Sequence, residues 1–292
     1  MRRPRELGRG LSLFPARTPT LPPATHTNSY ALGSREVLLV EPATPYASEQ
    51  REWIAWARAL RADGRVLVAI ALTHHHADHV GGADVLSREL GLPIWAHAAT
   101  ASRVSMPIAR LLEDGEVIAL QGPSPQRWVV MHTPGHAPGH MCLFDAEGAT
   151  LVAGDMVASV GTILIAPGDG DMRVYLEQLA RLARLGARLA LPAHGEPIDE
   201  PAALFARYID HRLMRERKVL AAVGKHGQAG AKVEEVVVDA YDDAPVTAWP
   251  PALLSTRAHL EKLVAEGRVE AVDGRFVADE RTGRREEGKV WS

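Results

Sequence analysis

Directly after an apolar run the chain reads "THHHADHVGG", which places four histidines and one aspartate within the six residues from His74 to His79. In His74-x-His76-x-Asp78-His79, residues two apart can share one side of an extended loop, while the next pair turns another way. Such a loop can offer ring nitrogens to one metal ion, and a carboxylate with an imidazole to a second. Neutral imidazole and carboxylate together suit zinc, and manganese or iron less exclusively. A single histidine here would read as surface at a helix start; this spacing behind a buried strand argues for ligands.

Three further segments have the same form, a strand that ends on a ligand-type residue beside glycine. "MHTPGHAPGH" offers His132, His136 and His140, "LVAGDM" offers Asp155, and "LPAHGE" offers His194. Strand-end loops gather at one edge of a layered sheet, where sites are usually built. Together these residues are enough for two metals with positions left open for water and substrate. Closed structural zinc sites mostly use cysteine. The one cysteine, Cys142, lies in the alternating "MCLFD" and reads as a small core residue.

The elements that position these residues alternate along the chain. "TNSYALGSREVLLVEP" reads as two strands around Gly33-Ser34. Residues 48–61 suit a helix with Ser48 as N-cap and Trp53, Ile54, Ala57 and Leu60 on one face. "RVLVAIALT" has the continuous apolar character of a strand buried on both faces. A helix follows Gly81-Gly82, then short strands ("PIWAH", "EVIAL", "RWVVMH", "MCLFD", "TLVAG"), a helix from Asp171 and the strand "ARLALPAHG". Strands with interspersed helices predict a layered α/β fold. After about Pro201 two helical patterns flank a Pro- and Asp-rich loop. A hairpin around Asp273-Gly274 follows, the order of a winged-helix module, and the charged tail from Glu280 reads as frayed.

At 292 residues the chain suits one large domain, or a large and a small one. Its net charge of −3 gives no sign of a broadly basic nucleic-acid-binding surface. A single cysteine excludes an intrachain disulfide, and a reducing, cytoplasmic compartment is the expectation. No run approaches the ~18 apolar residues of a membrane span, so no membrane is expected. The first two dozen residues, rich in arginine and proline without an apolar core, read as an ordinary leading segment rather than a secretory signal.

In order and spacing, His74-x-His76-x-Asp78-His79, His136 in "TPGH", Asp155 in "GD" and His194 in "AHG" resemble the motifs of the metallo-β-lactamase superfamily, over roughly residues 27 to 200. The resemblance implies an α/β fold, a four-layer αβ/βα sandwich. It implies His74, His76 and His136 on one metal, Asp78, His79 and His194 on a second, and Asp155 bridging them. The implied cofactor is two zinc ions, with manganese or iron as substitutes. His75, His132 and His140 fall outside that pattern and suit hydrogen bonding behind the ligands, or packing. A bridging aspartate is typical of glyoxalase II-like and nuclease-like members. The tyrosine that quorum-quenching lactonases carry three residues later is Ala158 here, and the helical C-terminal region of glyoxalase II is not found. "GTILIAPGDGDMRVYLEQL", "YIDHRLMRERKVL" and the winged-helix pattern are similar to the lactamase-beta-like protein 2 group. That group includes an endoribonuclease acting on single-stranded RNA, and fungal relatives that release polyketides from carrier-protein thioesters. The division implied is a catalytic domain over 1–204 and a winged-helix-like module over 205–292.

The expected chemistry is attack by a hydroxide held between two metals, with Asp78 as the catalytic residue that holds the second metal and orients that hydroxide. Three functions compete. The first is hydrolysis of an ester or thioester on a small molecule or a carrier-bound acyl chain. The second is cleavage of RNA, which needs a basic strip to track phosphates. Acidic and basic residues balance from Phe205 onward, and the local candidates are Arg212, Arg215, Arg217 and Lys218, otherwise a solvated helix face. The third is a zinc-stabilised binding protein without catalysis, which the open, cysteine-free ligand set disfavours. The C-terminal module is expected to wall the cleft or to mediate a homodimer.

Overall fold

The aliphatic run before the histidine cluster forms a central strand, and the turns that punctuate the sequence bring the ends of its neighbours to one edge. The structure is a computed structural model that describes residues 3–245 and 249–279; the tail from Glu280 lies outside the described residues. The first sheet has seven strands in chain order: β1 (Arg5–Gly8), β2 (Leu11–Arg17), β3 (His26–Leu32), β4 (Glu36–Val40), β5 (Val66–Ala71), β6 (Ile94–His97) and β7 (Arg110–Leu112). The second has six: β8 (Val117–Leu120), β9 (Gln126–His132), β10 (Met141–Asp145), β11 (Thr150–Gly154), β12 (Leu189–Pro192) and β13 (Ile198–Asp199), also adjacent in chain order. β4 to β7 run parallel, as do β11 and β12, while the other pairs are antiparallel.

Leu13, Tyr30, Leu38 and Val40 of the first sheet meet Trp128, Val130, Leu143 and Leu191 of the second in one buried layer. Helix α1 (Ala47–Ala62) covers the outer face of the first sheet, with Trp53, Ile54, Ala57 and Leu60 buried as their spacing predicts. The short α2 (Ala77–Val80) leads into α3 (Ala83–Leu90), which joins the same face, and the short α4 (Ala98–Ala101) follows β6. Helix α5 (Met172–Ala183) covers the second sheet through Tyr175, Leu179 and Leu182. The result is the expected sandwich of sheets between helices. Each large buried side chain contributes about 1.5–3 kcal/mol by leaving water.

Two expectations need correction. Helix α1 begins at Ala47 with Tyr46 as N-cap, so Ser48 lies inside the first turn. Thr44 sets that start, because its Oγ1 accepts the Tyr46 N–H at 3.2 Å. The arginine- and proline-rich beginning is not a mere leading segment: it forms β1 and β2, and Leu11, Leu13, Phe14 and Ala16 are buried. Its prolines hid a strand whose partner, β3, was already legible.

The C-terminal module comprises α6 (Ala202–Gly224), α7 (Val233–Ala240), α8 (Trp249–Ala265) and the hairpin β14 (Val269–Val272) to β15 (Arg275–Ala278). Val219, Val236, Leu260 and Leu263 form its core. Helix α7 occupies a stretch read as loop. α6 serves two cores, since Phe205 near its start packs with Tyr175 and Leu179 while Val219 and Val223 pack in the module. Among the described residues no helix is long and apolar enough to cross a membrane.

The basic cluster of α6 is not a patch. Arg212 and Arg215 are buried, Arg212 donating to Thr162 Oγ1 (3.1 Å) and Ile163 O, Arg215 to Asp243 Oδ1 (2.8 Å) and Ala240 O. Lys218 pairs with Asp242 (2.5 Å) and Asp243 (3.3 Å), leaving Arg217 as the exposed member. Helical spacing placed these residues together, but it could not show that half of them face inward.

These pairs have a consequence in acid. Burial raises the Glu216 pKa, but the neighbouring His259 ring and the Lys262 ammonium outweigh that and hold it below the usual carboxylate range. On the surface, the hydrogen bond from Arg215 takes Asp243 down to about 2. Both folded values are depressed, so the stabilisation is complete above the unfolded pKa of ~4 and is lost as pH falls through the folded values. The thermal midpoint of the protein should therefore drop below about pH 4, and Glu216→Gln should flatten that acid limb. Melting curves of both proteins, taken from about pH 2 to about pH 5, check it.

Candidate metal centre

All the sequence-predicted ligands lie at one edge of the sandwich. His74 to His79 follow β5, His136 lies between β9 and β10, Asp155 follows β11 and His194 follows β12. Two backbone bonds tie the sheets together there, Met141 N–H to Thr73 O at 3.0 Å and Asn28 N–H to Ala193 O at 2.8 Å. His76 is the N-cap of α2, with extended backbone, so the chain changes direction between His76 and Asp78. His74 and His76 thus face one position, and Asp78 and His79 another.

The nitrogens of the first group are within hydrogen-bonding distance of one another. His74 Nε2 lies 3.0 Å from His76 Nδ1, and His136 Nε2 lies 3.2 Å and 3.0 Å from those two atoms. In the second, His194 Nε2 is 3.6 Å and His79 Nε2 is 3.8 Å from the Asp78 carboxylate. Asp155 stands between the groups: Oδ2 is 3.4 Å from His136 Nε2 and 3.5 Å from His79 Nε2, and Oδ1 is 3.4 Å from His194 Nε2. Each trio, His74–His76–His136 and Asp78–His79–His194, has its ligand atoms within 4.8 Å of one another.

Whether these donors suit a cation follows from their outer nitrogens. His136 Nδ1 faces Leu164 O and His194 Nδ1 faces His26 O, each at 3.0 Å. His76 Nε2 faces Asp169 Oδ2 at 2.6 Å, and His79 Nδ1 faces Glu41 Oε2 at 2.5 Å. Carbonyls and carboxylates only accept, so in each neutral ring the hydrogen sits outward and a lone pair points inward. Burial, then the neighbouring histidines, hold His74 well below its usual pKa, and burial takes His136 to about 4. Burial also opposes charge on His79 and His194, but Glu41 and Asp155 beside the first and Asp155 beside the second raise both. With the rings neutral, lone pairs and carboxylate oxygens converge on one space, and His79 Nε2 and Asp155 Oδ1 are buried without a hydrogen bond. Such a set fits divalent metal.

His140 supports the centre from behind. Its Nε2 accepts the Asp155 N–H at 3.0 Å, and Nδ1 is 2.8 Å from Thr133 Oγ1. The contact is close enough that a Cβ at Gly154, where φ is +50°, would stand 2.5 Å from His140 Nε2. His132 packs on His97 with ring centroids 4.0 Å apart and faces Pro138 O. His75 Nε2 is 3.2 Å from Asp169, on the outer side of His76.

Two residues at the centre escaped the sequence reading. Glu41 accepts from Thr73 N–H (2.8 Å) and from His79, and is buried. The signal was present: Glu41 is the charged end of the apolar "VLLV", a strand parallel to β5 at the same edge. Asp169 reaches His76 from a loop and has no local signature.

A cleft of about 230 Å³ opens on the centre. Its walls are Pro19 to Ala24 on one side and Val160 to Leu164 on the other, with His76, Asp78, His136, Asp155, Asp169 and His194 inside. Among the described residues lining it there is neither lysine nor arginine.

Comparison with known proteins agrees with this architecture. Residues 22–194 match the model of the metallo-beta-lactamase superfamily, and residues 233–276 that of a beta-lactamase associated winged helix domain. A beta-lactamase-like protein 2 homolog from Caenorhabditis elegans is 28% identical over 84% of this chain and 80% of its own length. An atrochrysone carboxyl ACP thioesterase from Aspergillus chevalieri is 31% identical over 75% of this chain and 69% of its own. The crystal structure of a metallo-beta-lactamase family protein from Thermus thermophilus superposes with a TM-score of 0.76 at 26% identity, covering 94% of this chain and 100% of that one. The histidine and aspartate edge, the facing sheets and these matches place the chain in the metallo-β-lactamase superfamily, whose members bind divalent metal at such a site.

Proposed function

We propose that this protein is a dinuclear zinc hydrolase of ester or thioester bonds. His74, His76 and His136 would hold one ion, Asp78, His79 and His194 the other, and Asp155 would bridge them. Imidazole-rich donors with carboxylates favour zinc over harder cations. When bound, the two ions supply an activated water and a Lewis acid for the substrate oxygen. The rest falls to the chain. Asp78 projects into the cleft and orients the attacking water by accepting its hydrogen bond. Asp169 and Leu164 O hold His76 and His136 in the tautomers that keep their inner nitrogens free. Ile163, Leu164 and the Pro19–Pro23 segment give the acyl group an apolar wall.

The observation that carries the acyl reading is the absence of lysine and arginine among the described lining residues. A phosphodiester backbone is tracked by cations, and each one used steepens the fall of affinity with salt. An acyl bond needs none at the reacting centre. The thioesterase among the relatives supports the same reading. The test compares initial rates on acyl thioesters and esters with those on a single-stranded RNA oligomer, at low and moderate salt with matched zinc. Acyl hydrolysis should exceed RNA cleavage at both. RNA cleavage that persists at moderate salt, with no acyl hydrolysis, reverses the assignment.

A further inference from the structure

We propose that the groove between α6 and the crest of the cleft wall is a subsite for a phosphate on the leaving arm of the substrate, with Arg207 as its anion-binding residue. This rests on the acyl reading above and narrows it to thioesters of a phosphate-bearing thiol. The groove, about 240 Å³, is lined by Gly161, Thr162, Leu204, Arg207, Tyr208 and His211. Gly161 and Thr162 also line the cleft that opens on the metal centre, so the two spaces meet at that exposed crest. Leu204, Arg207, Tyr208 and His211 recur at three- and four-residue spacing and share one face of α6. Tyr208 Oη is 3.1 Å from both the backbone N and O of Ala158, a cleft residue, which fixes that face against the wall.

Charge gives the groove its direction. The cleft holds Asp78, Asp155 and Asp169 and, among its described lining, no lysine or arginine. Beyond the crest, Arg207 is the arginine of the adjoining groove. Its helix neighbours Arg212, Arg215 and Lys218 are engaged with Thr162, Ala240, Asp242 and Asp243. Arg207 is exposed and makes no hydrogen bond or ion pair among the described residues. A free guanidinium binds phosphate through two parallel N–H bonds, its planar fork matching the spacing of two phosphate oxygens. Burial, then Arg212 and Arg215, lower the His211 pKa, so His211 adds a neutral hydrogen-bonding ring beside it.

The reaction leaves the phosphate untouched. Water adds to the thioester carbon, the C–S bond breaks, the sulfur departs with the electron pair and takes a proton, and the acid keeps the water oxygen. The phosphate can belong to the prosthetic arm of a carrier protein or to a free coenzyme A thioester. Kinetics on one acyl group presented three ways separate these sources: on coenzyme A, on a carrier protein, and on N-acetylcysteamine, which lacks phosphate.

With Arg207→Ala, KM for the phosphate-bearing thioester should rise about tenfold or more, the scale of one lost charge-assisted hydrogen bond, while kcat holds. The difference should shrink with added salt and be partly restored in Arg207→Lys, and KM for the N-acetylcysteamine thioester should not move. Wild-type KM values that are equal with and without phosphate, and unmoved by Arg207→Ala, overturn the subsite and leave the acyl reading standing. Turnover of none of the three thioesters overturns the subsite, and if esters too are left intact the acyl reading falls with it. A defect of Arg207→Ala confined to cleavage of a single-stranded RNA oligomer assigns the groove to a nucleic-acid backbone and also overturns the inference.

Discussion

Replacing Asp78 by alanine should leave the fold in place, lower the zinc content from two ions to one, and cut turnover by about 10²–10³-fold, the scale of losing one group aimed at the reacting atoms. The separation of effects follows from where the side chain stands. Asp78 is 19% exposed in the cleft, and its partners among the described residues are His79 and His194 at 3.8 and 3.6 Å. Among the described residues no backbone group hydrogen-bonds to it. Asp155 would make a poorer test, because it is buried against His79, His136 and His194 and its loss would uncover the charge it favours on His79 and His194. Elemental analysis, a melting curve and kcat/KM on the same preparation distinguish the outcomes. A full rate with two ions bound would remove Asp78 from the mechanism.

Glu41 should separate a structural from a metal-binding effect through two substitutions. Alanine leaves the Thr73 N–H and the outer His79 N–H buried without an acceptor, an expected loss of about 3–5 kcal/mol in stability. Glutamine is subtler. Its carbonyl can keep the Thr73 bond, but its amide then points N–H groups at His79 Nδ1, which already carries hydrogen. The ring relieves that clash by moving its hydrogen to Nε2, the atom that faces the metal position. Glu41→Gln should therefore melt close to the wild type yet bind zinc about 10–100-fold more weakly, the usual effect of disturbing a ligand's outer partner. Zinc titration against a competing chelator reads the affinity directly. Equal and large losses of stability in both variants, with affinity unchanged in the glutamine form, would make Glu41 a purely structural residue.

The residues that gather at the sandwich edge were legible because each is local: a strand ends, and the next few residues carry donor side chains. Parallel and antiparallel connections alike then deliver those ends to one edge. Glu41 was harder, since its partners Thr73 and His79 lie more than a strand and a helix away in sequence and meet it only through the pairing of β4 with β5. Asp169 had no signal at all, because a loop's path decides which side chain reaches His76. The same limit misled the reading of α6. A run of cations at helical spacing says they are near one another, but only packing shows that Arg212 and Arg215 point into the protein. In β2 the prolines and arginines outweighed a run of buried residues that the pairing with β3 explains.

Arg212 donates to Ile163 O and Thr162, and Tyr208 holds Ala158, so one wall of the cleft hangs from α6 while the candidate metal ligands hang from strand ends. The two meet where Leu164 O faces His136 Nδ1. A substitution on α6 can reshape the crest at Gly161 and Thr162, and the histidine side chain tied to that wall is His136, through Leu164 O. Selection for a new substrate can then act on the exposed face of one helix, largely apart from the strand-end residues of the candidate metal centre. An engineer has the same freedom: randomising the α6 face around Leu204, Arg207 and His211 samples specificity without having to rebuild catalysis.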